Sequence, residues 1–411
     1  MQRLRLSAPP AQRASDPLAT YSTLCRLVAS GEAADRAALA RATGLVRNTV
    51  VSYVQALIDA DVLADGVGRQ QPVGRGRPAR RLALRRELGD IVSIGIRKGA
   101  VDVLITSINQ TPTARGTLAI DLADGPVEVL SRTADFVEQL LVAARERSRA
   151  ERIAGLSIAL PAPIDAVLGR PVKPPMLPGW DGFPVADVLE ARFRCPVVVD
   201  NDANHMALGE ARSRPVGEAP LLFITIGAGI GSGLVLGDGE VFRGAEGAAG
   251  DIGHTRVPNG QGATCACGNV DCLETLASTT ALATRYGADH AVDAATVDFV
   301  DLVHRGDRDA VRMTREAGTL IGEVLAIAVH LLNPRTIVVG GDTVGVSDDL
   351  LSGVRGVVYR RALPLGTRML SIAACQDTHA TMLRGGMVAA LERALSPQGV
   401  VRDLEPPFAH R

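Results

Sequence analysis

Residues 223–239 read FITIGAGIGSGLVLGDG, which places two runs of Ile, Leu and Val on either side of a glycine loop. Short apolar runs rich in β-branched residues and bounded by glycine are typical of buried strands. Helix-like stretches, such as 127–147 and 309–332, alternate with several further runs of this kind. Strands that alternate with helices predict an α/β fold after residue 90. The further runs are IVSIGI (91–96), VDVLITSI (101–108), RIAGLSIAL (152–160), PVVVDND (196–202) and TIVVGG (336–341).

The composition points to an ordinary globular protein. A chain of 411 residues is expected to fold into two or three units. Hydrophobic residues make up 46% and charged residues 22%, which is a normal balance. No run of about 18 apolar residues occurs, and the N-terminus lacks the apolar core of a signal peptide. We therefore expect a cytoplasmic protein with no membrane partner.

The N-terminal part is basic and helical. Residues 1–86 contain 14 Arg and 6 acidic residues, although the whole chain has a net charge of −1. Apolar spacing predicts helices over 18–30, 36–43 and 47–60, with Gly44 in the turn between the last two. A β-compatible segment, 62–84, follows. This order predicts a winged helix-turn-helix over 17–86, preceded by a flexible tail over 1–16.

Several polar side chains of this unit are candidates for contact with DNA. Arg47, Asn48, Thr49 and Ser52 point outward from the third helix, and Asn can bond adenine bidentately. Solvation of an ordinary surface helix explains the same residues. The segment GRGRP at 74–78 carries Arg75 and Arg77, which suit a minor groove or phosphates. The alternative for this segment is a basic linker.

Four potential metal ligands lie within 19 residues of one another: His254, Cys265, Cys267 and Cys272. Three thiolates and one imidazole complete the tetrahedral shell of a structural Zn²⁺ ion. Six cysteines in a chain of this length do not suggest a disulfide framework. The alternative is three buried or redox-active cysteines beside an unrelated histidine, which the short spacing disfavours.

Polar and glycine-rich segments follow the strand-like runs, where ligands bind in α/β folds. Asn201 and Asp202 come directly after the apolar residues 196–199. They can hold adjacent sugar hydroxyls, with Asp202 as a general base, but a helix-capping turn explains them equally well.

A second polar group lies further along the chain. Asp251, His254 and Glu274 are expected to complete a pocket. If His254 binds zinc through one ring nitrogen, its other N–H can donate to a ligand. The glycine loop at 225–233 can cradle a phosphate, although a glycine-rich hairpin is the competing interpretation.

Taken together, these motifs resemble the ROK (repressor, open reading frame, kinase) family, in particular its xylose and N-acetylglucosamine repressors. The signature lies at 223–278, and the resemblance extends over 17–395. It implies a two-lobed, actin-like domain of the hexokinase type over 90–395, a polar tail over 396–411, and a homodimer or homotetramer. It also implies that Asn201, Asp202, His254 and Glu274 bind sugar. Asp251 stands where the family usually has Glu, and Met176 where many relatives have Asn.

The chain departs from the kinases of that family at the start of the fold. Those kinases begin with a D-x-G-G-T turn that handles ATP and Mg²⁺, whereas residues 95–99 here read GIRKG. Gly95 replaces the Asp, Gly99 replaces the Thr, and Arg97 and Lys98 crowd the turn. Ala228 stands in the second phosphate loop where Thr is common. We therefore predict that the chain is not an enzyme.

The resemblance predicts a sugar-responsive transcriptional regulator. It would bind operator DNA and change its affinity when a monosaccharide or sugar derivative occupies the cleft, most often as a repressor that sugar relieves. An active ATP-dependent sugar kinase is one alternative. A regulator with an empty cleft, controlled by a protein partner, is the other, and Asp251 and Met176 favour it.

Overall fold

The fold is described from a computed structural model, which covers residues 2–7, 16–66, 81–148, 150–175, 177–257, 260 and 262–404. Within these ranges, no helix is both long and apolar enough to cross a bilayer.

The N-terminal unit consists of three helices and a two-stranded antiparallel sheet. Asp16 caps the first helix and Asp35 the second, in each case by accepting hydrogen bonds from backbone N–H groups. Gly31 and Gly44 end these helices in the left-handed conformation that glycine adopts readily. The predicted helices are confirmed to within about one residue at each end. The elements are α1 (Pro17–Ser30), α2 (Arg36–Thr43), α3 (Arg47–Asp59), β1 (Leu63–Asp65) and β2 (Leu82–Leu84).

The first lobe is built on a five-stranded sheet in the order β5-β4-β3-β6-β9. Three strands pair antiparallel, and β6 and β9 extend the sheet in parallel. Helices α4 and α5 and the short pair β7–β8 complete the lobe. The bounds are β3 (Asp90–Arg97), β4 (Ala100–Ser107), β5 (Pro112–Ala119), α4 (Gly125–Ser148), β6 (Ile153–Leu160), β7 (Ile164–Asp165), β8 (Arg170–Pro171), α5 (Val185–Phe193) and β9 (Val197–Asn201).

The second lobe repeats this plan with four strands in the order β11-β10-β12-β13. An antiparallel pair, β10–β11, is again extended by parallel strands. The predicted α/β fold is thus confirmed. The bounds are β10 (Leu221–Ile226), β11 (Ile230–Val235), α7 (Leu273–Ala277), α8 (Thr279–His290), α9 (Phe299–His304), α10 (Arg308–Leu332), β12 (Thr336–Gly340), α11 (Asp342–Val346), α12 (Asp349–Arg361), α13 (Pro364–Thr367) and β13 (Ser371–Ala374).

Two helices connect the lobes. Helix α6 (Asp202–Ser213) leads from β9 to β10, and α14 (Thr378–Ala394) follows β13 and packs on β3 and β6. They cross at Gly209 and Gly385, where a Cβ atom would lie 2.2 Å from the Thr381 carbonyl oxygen and 1.7 Å from the His205 carbonyl oxygen, respectively. Only glycine permits this backbone contact, so the two helices touch without intervening side chains.

Both chain ends differ from the sequence expectation. Within the expected flexible tail, Leu4 and Leu6 are buried, and residues 2–7 lie against both the N-terminal unit and the first lobe. The physical reason is the alternation of Leu with Arg in this segment, which buries one face of an extended chain. Within the expected polar tail, Pro397–Leu404 forms a helix, α15, that packs on α1 and buries Val400.

One apolar core joins the N-terminal unit to the connecting helices. Val54 of α3 and Leu24 of α1 belong to the same buried cluster as Met206 of α6 and Leu391 of α14. Each lobe has a further core of its own. The N-terminal unit therefore shares one core with the helices that lie between the lobes.

Candidate functional site

A cleft of about 550 Å³ lies between the two lobes. Its walls include the N-terminal ends of α6 and α14, the glycine loop between β10 and β11, and the segment before α7. The structure brings all five predicted sugar ligands to this cleft: Asn201, Asp202, Asp251, His254 and Glu274.

Asn201 ends β9 and caps α6. Its side-chain oxygen accepts a hydrogen bond from the backbone N–H of Ala203 at 2.9 Å, and its amide nitrogen donates to the carbonyl of Ala162 at 3.0 Å. The capping interpretation is thus realised. Because an amide has further donor and acceptor capacity, the residue can still meet a ligand in the cleft.

Asp202 begins α6 and is half-buried. A carboxylate oxygen accepts a hydrogen bond from the Ala203 N–H at 2.8 Å, which leaves acceptor capacity toward the cleft. Burial raises the pKa of Asp202 to about 6, and the backbone hydrogen bond only partly opposes this shift. A carboxylate in this state is a strong acceptor for a hydroxyl group above pH 6.

Glu274 and His254 are each positioned by contacts with neighbouring groups. One carboxylate oxygen of Glu274 accepts a hydrogen bond from the Ile230 N–H at 2.9 Å, so this residue also holds the glycine loop. The Nδ1 atom of His254 lies 3.4 Å from Sγ of Cys265, and its Nε2 atom lies 3.9 Å from a carboxylate oxygen of Asp251. The histidine therefore presents one ring nitrogen to the cysteines and the other to the cleft.

The predicted metal ligands, His254, Cys265, Cys267 and Cys272, form one cluster. Their ligand atoms all lie within 4.8 Å of one another. The Sγ atoms of Cys267 and Cys272 are 3.7 Å apart. Tetrahedral zinc with Zn–S bonds near 2.3 Å would separate two sulfurs by about 3.8 Å, so the donor set fits this ion.

Without a metal ion, two of the thiols in the cluster are hard to ionise. Burial raises the pKa of Cys272 to about 12 and raises the pKa of Cys265 above its usual range. Three thiolates in such proximity would repel one another strongly unless a metal ion neutralised them. Cys272 directly precedes α7, so a bound ion would tie His254 to the helix that carries Glu274.

The corner of the cleft next to β3 differs from a phosphate-binding turn. A Cβ atom on Gly95 would lie 2.1 Å from the terminal methyl of Met382. Arg97 donates to a carboxylate oxygen of Asp102 at 2.8 Å. Burial alone would raise the pKa of Asp102, but hydrogen bonds from Arg97 and Thr117 outweigh it and hold the pKa below its usual value. A methionine and an ion pair thus fill this corner.

The outer face of α3 carries the predicted DNA contacts. Arg47, Asn48 and Ser52 are exposed, and Thr49 is half-buried. The opposite face is buried through Val50, Val54 and Leu57. The wing segment at 74–78, with Arg75 and Arg77, lies outside the described residues, as does Met176.

Sequence reasoning missed several residues of these surfaces. Met382 and His379 reach the cleft from α14. The sequence feature that could have indicated them is the change from strand to helix just before Thr378. Val46 and Val51 are 71% and 43% exposed at the start of α3. Exposed apolar groups beside Asn48 are suited to contact with thymine methyl groups.

Comparison with known proteins identifies the family. Residues 94–392 match the model of the ROK family. The chain is 29% identical over 342 residues to a putative xylose repressor of Caldicellulosiruptor sp., covering 80% of this chain and 84% of the relative. It is 26% identical over 380 residues to the NagC dual regulator of Escherichia coli, covering 88% and 89%. The chain therefore belongs to the ROK family.

Kinases of the family match a shorter part of the chain. A glucokinase of Halalkalibacterium halodurans is 32% identical over 257 residues, covering 59% of this chain and 76% of the relative. Among solved structures, a ROK family transcriptional regulator homologous to E. coli MLC has a TM-score of 0.75 at 22% identity and covers 95% of this chain and 99% of its own. The similarity in fold to this regulator therefore extends to the N-terminal unit.

Proposed function

We propose that this ROK-family chain is a sugar-responsive transcriptional regulator, which acts as a repressor of carbohydrate-metabolism genes in the cytoplasm. The observation that carries the proposal is the union, in one chain, of a helical unit with an exposed polar face and a cleft lined by five polar residues. Regulators of the family match the chain over both parts, whereas the glucokinase covers 59% of it.

In this proposal, residues 17–86 form a winged helix-turn-helix that reads operator DNA. Helix α3 enters the major groove, and Arg47, Asn48, Thr49 and Ser52 face base edges or phosphates. Arg75 and Arg77 of the wing contact the minor groove or the backbone. Because one unit reads one half-site, we propose that the regulator works as a homodimer or homotetramer.

The sensor occupies residues 90–395, with a monosaccharide or sugar derivative as effector. Asp202 and Glu274 supply carboxylate acceptors, Asn201 an amide, and His254 a ring N–H. Asp251 lies at the rim, with half of its side chain exposed. We propose that His254, Cys265, Cys267 and Cys272 hold one structural Zn²⁺ ion, which fixes the positions of His254 and α7 and supplies no chemistry to a substrate.

The kinase alternative is disfavoured by the corner of the cleft at Gly95. An aspartate there would have to displace Met382, and Arg97 is engaged by Asp102. Asp202, in the position of a kinase base, would therefore act as a ligand of the sugar and not as a catalyst.

Calorimetry and an activity assay on the same sample test the proposal. D-glucose, D-xylose and N-acetyl-D-glucosamine are titrated separately, and each is then incubated with ATP and Mg²⁺. We expect one of them to bind without formation of sugar phosphate. Steady Mg²⁺-dependent turnover, abolished by Asp202→Asn, would establish the kinase instead. Absence of binding by all three would favour a regulator controlled by a protein partner.

Gly95→Asp provides a matched variant. Because its Cβ atom would overlap with the Met382 methyl, we expect a lowered Tm and still no kinase activity. The double variant with Met382→Ala should recover part of the lost stability, since the overlap is then removed.

A further inference from the structure

Beside the shared apolar core and the packing of α15 on α1, two groups of polar contacts attach the N-terminal unit to the rest of the chain. The first lies at the turn after β4, in the first lobe. Asn109 donates to the carbonyl of Leu84 at 2.7 Å and accepts from its N–H at 3.2 Å. Gln110 makes the same pair of bonds with Leu4, at 2.7 and 3.0 Å. These four bonds anchor β2 and the N-terminal segment to one lobe.

The second place is a buried charge cluster at the far ends of α6 and α14, which we call the Glu392 junction and which comprises Arg26, Arg212, Glu392 and residues 5–7. Arg212 contacts the carboxylate of Glu392 at 2.9 Å, and their side chains are 5% and 12% exposed. The N–H of Ser7 donates to the same carboxylate.

Helix α1 reaches this junction through Arg26. Its guanidinium donates to the carbonyl of Glu392 at 2.7 Å and to the carbonyl of Ser7 at 2.8 Å. Arg5 adds hydrogen bonds to the carbonyls of Ala211 and Arg212 at the end of α6. The junction therefore joins α1, the N-terminal segment and both connecting helices.

The same two helices begin in the cleft. Helix α6 starts at Asp202, and the first turns of α14 present Thr378, His379 and Met382 to the cavity. At about 1.5 Å per residue, α6 spans about 18 Å and α14 about 25 Å. Because their backbones touch at Gly209 and Gly385, a shift of α6 acts directly on α14 at this crossing.

We propose that the Glu392 junction is the element through which occupation of the cleft changes the position of the DNA-binding unit. This inference rests on the proposed function and specifies its regulation. When the lobes close on a ligand, α6, which packs on β10 and β11, moves with the second lobe. Its last residues then shift relative to the first lobe, which holds the unit at Asn109 and Gln110 and on which α14 packs. A unit held at both places must then tilt, and the orientation of α3 follows that of α1.

The chemistry of the junction suits a two-position switch. Within the described residues, the Nε atoms of Arg5, Arg26 and Arg212 are buried without a hydrogen-bond partner. Burial also raises the pKa of Glu392, although Arg212 and the Ser7 N–H oppose that shift. Buried charged groups favour discrete arrangements because intermediate positions would leave them unpaired. In a second arrangement, these unused N–H groups could donate to other acceptors.

Glu392→Gln in the full-length protein tests the junction, because it removes the charge and keeps the shape. The DNA probe is a duplex selected by the unmodified protein from a random library, and its Kd is measured with and without D-glucose, D-xylose and N-acetyl-D-glucosamine at saturation. We expect the unmodified protein to show an effect of about 5-fold or more. In Glu392→Gln the effect should fall below about 2-fold, with calorimetric sugar affinity within about 2-fold of normal.

Glu323→Gln is the matched control. Glu323 lies on α10 of the second lobe and pairs with Arg361 of α12. The variant removes the same charge as Glu392→Gln and should leave the sugar effect intact. Arg26→Gln is a second variant for the case that Glu392→Gln does not fold. It frees α1 alone and leaves the Arg212–Glu392 pair in place, so it should lose the sugar effect as well.

The outcomes separate the two proposals. An unchanged sugar effect in folded Glu392→Gln and Arg26→Gln would overturn the role of the junction and leave the proposed function intact. If no sugar alters DNA binding by the unmodified protein, the proposed function fails and the junction proposal fails with it.

Discussion

Asp202 illustrates how one side chain can be costly to the fold and useful to a ligand. Its pKa is raised by burial from the usual 3.8 to about 6. The folded state therefore binds a proton more tightly than the unfolded state between these values, and stability falls as the pH rises through this window. Above pH 6 the ionised carboxylate destabilises the ligand-free protein. A hydroxyl group that donates to it would offset this cost.

Asp202→Asn should consequently stabilise the ligand-free protein at pH 7.5, with a gain in Tm that shrinks as the pH falls from 6 toward 4. Differential scanning fluorimetry across this range measures the effect. Calorimetry should find that Asp202→Ala abolishes sugar binding, with a loss of about 1–3 kcal/mol or more. For the unmodified protein, affinity should decline below about pH 6. A pH-independent Tm difference would contradict the assigned cause of the pKa shift.

Elements differ in how far the sequence specifies them. Helices α1 and α2 could be predicted closely from their Asp caps, Gly stops and apolar spacing, and α3 from apolar spacing, because these are local signals. The segment of residues 2–7 could not, because its partners, Gln110 and Glu392, are more than 100 residues away. Helix α15 had a local signal, Ser396 before Pro397, that a polar composition concealed.

Disruption of the cluster of His254, Cys265, Cys267 and Cys272 should alter the cleft. Purified, reduced protein is expected to contain about one Zn²⁺ per chain by metal analysis. Cys267→Ser should lower both the Tm and the sugar affinity, because the cluster holds His254 and the start of α7. Cys375→Ser, at a buried cysteine outside the cluster, controls for loss of a thiol. Zinc-free protein with normal stability would contradict the metal assignment.

Substitutions in the proposed DNA-binding unit should distinguish contacts with bases from contacts with phosphates. Asn48→Ala is expected to relax preference at particular base pairs, whereas Arg75→Ala with Arg77→Ala should weaken binding to all sequences and reduce its salt dependence. Fluorescence anisotropy with matched and mismatched duplexes at several salt concentrations distinguishes them. Gln55→Ala, an exposed position that bonds to Asp59 within α3, serves as the control. Equal losses on every duplex for Asn48→Ala would remove its role in sequence recognition.

At the scale of the whole molecule, the sequence indicated the parts, and the structure adds their connection. Motifs at 200–204 and 254–274 predicted the cleft because each follows a recognisable strand or metal pattern. The packing of Met382 against Gly95, and the Glu392 junction, arise from residues far apart in the chain. Such contacts depend on tertiary geometry and leave no local pattern.

The central claim is that one chain couples a sugar cleft to DNA binding. The most direct test is the Kd of the full-length protein for a duplex it has selected, measured as a function of D-glucose, D-xylose or N-acetyl-D-glucosamine concentration. We predict that at least one of these sugars changes the Kd by about 5-fold or more, with a midpoint that differs from its calorimetric Kd by no more than that same factor. A DNA affinity that stays constant while a sugar saturates the cleft would contradict the claim.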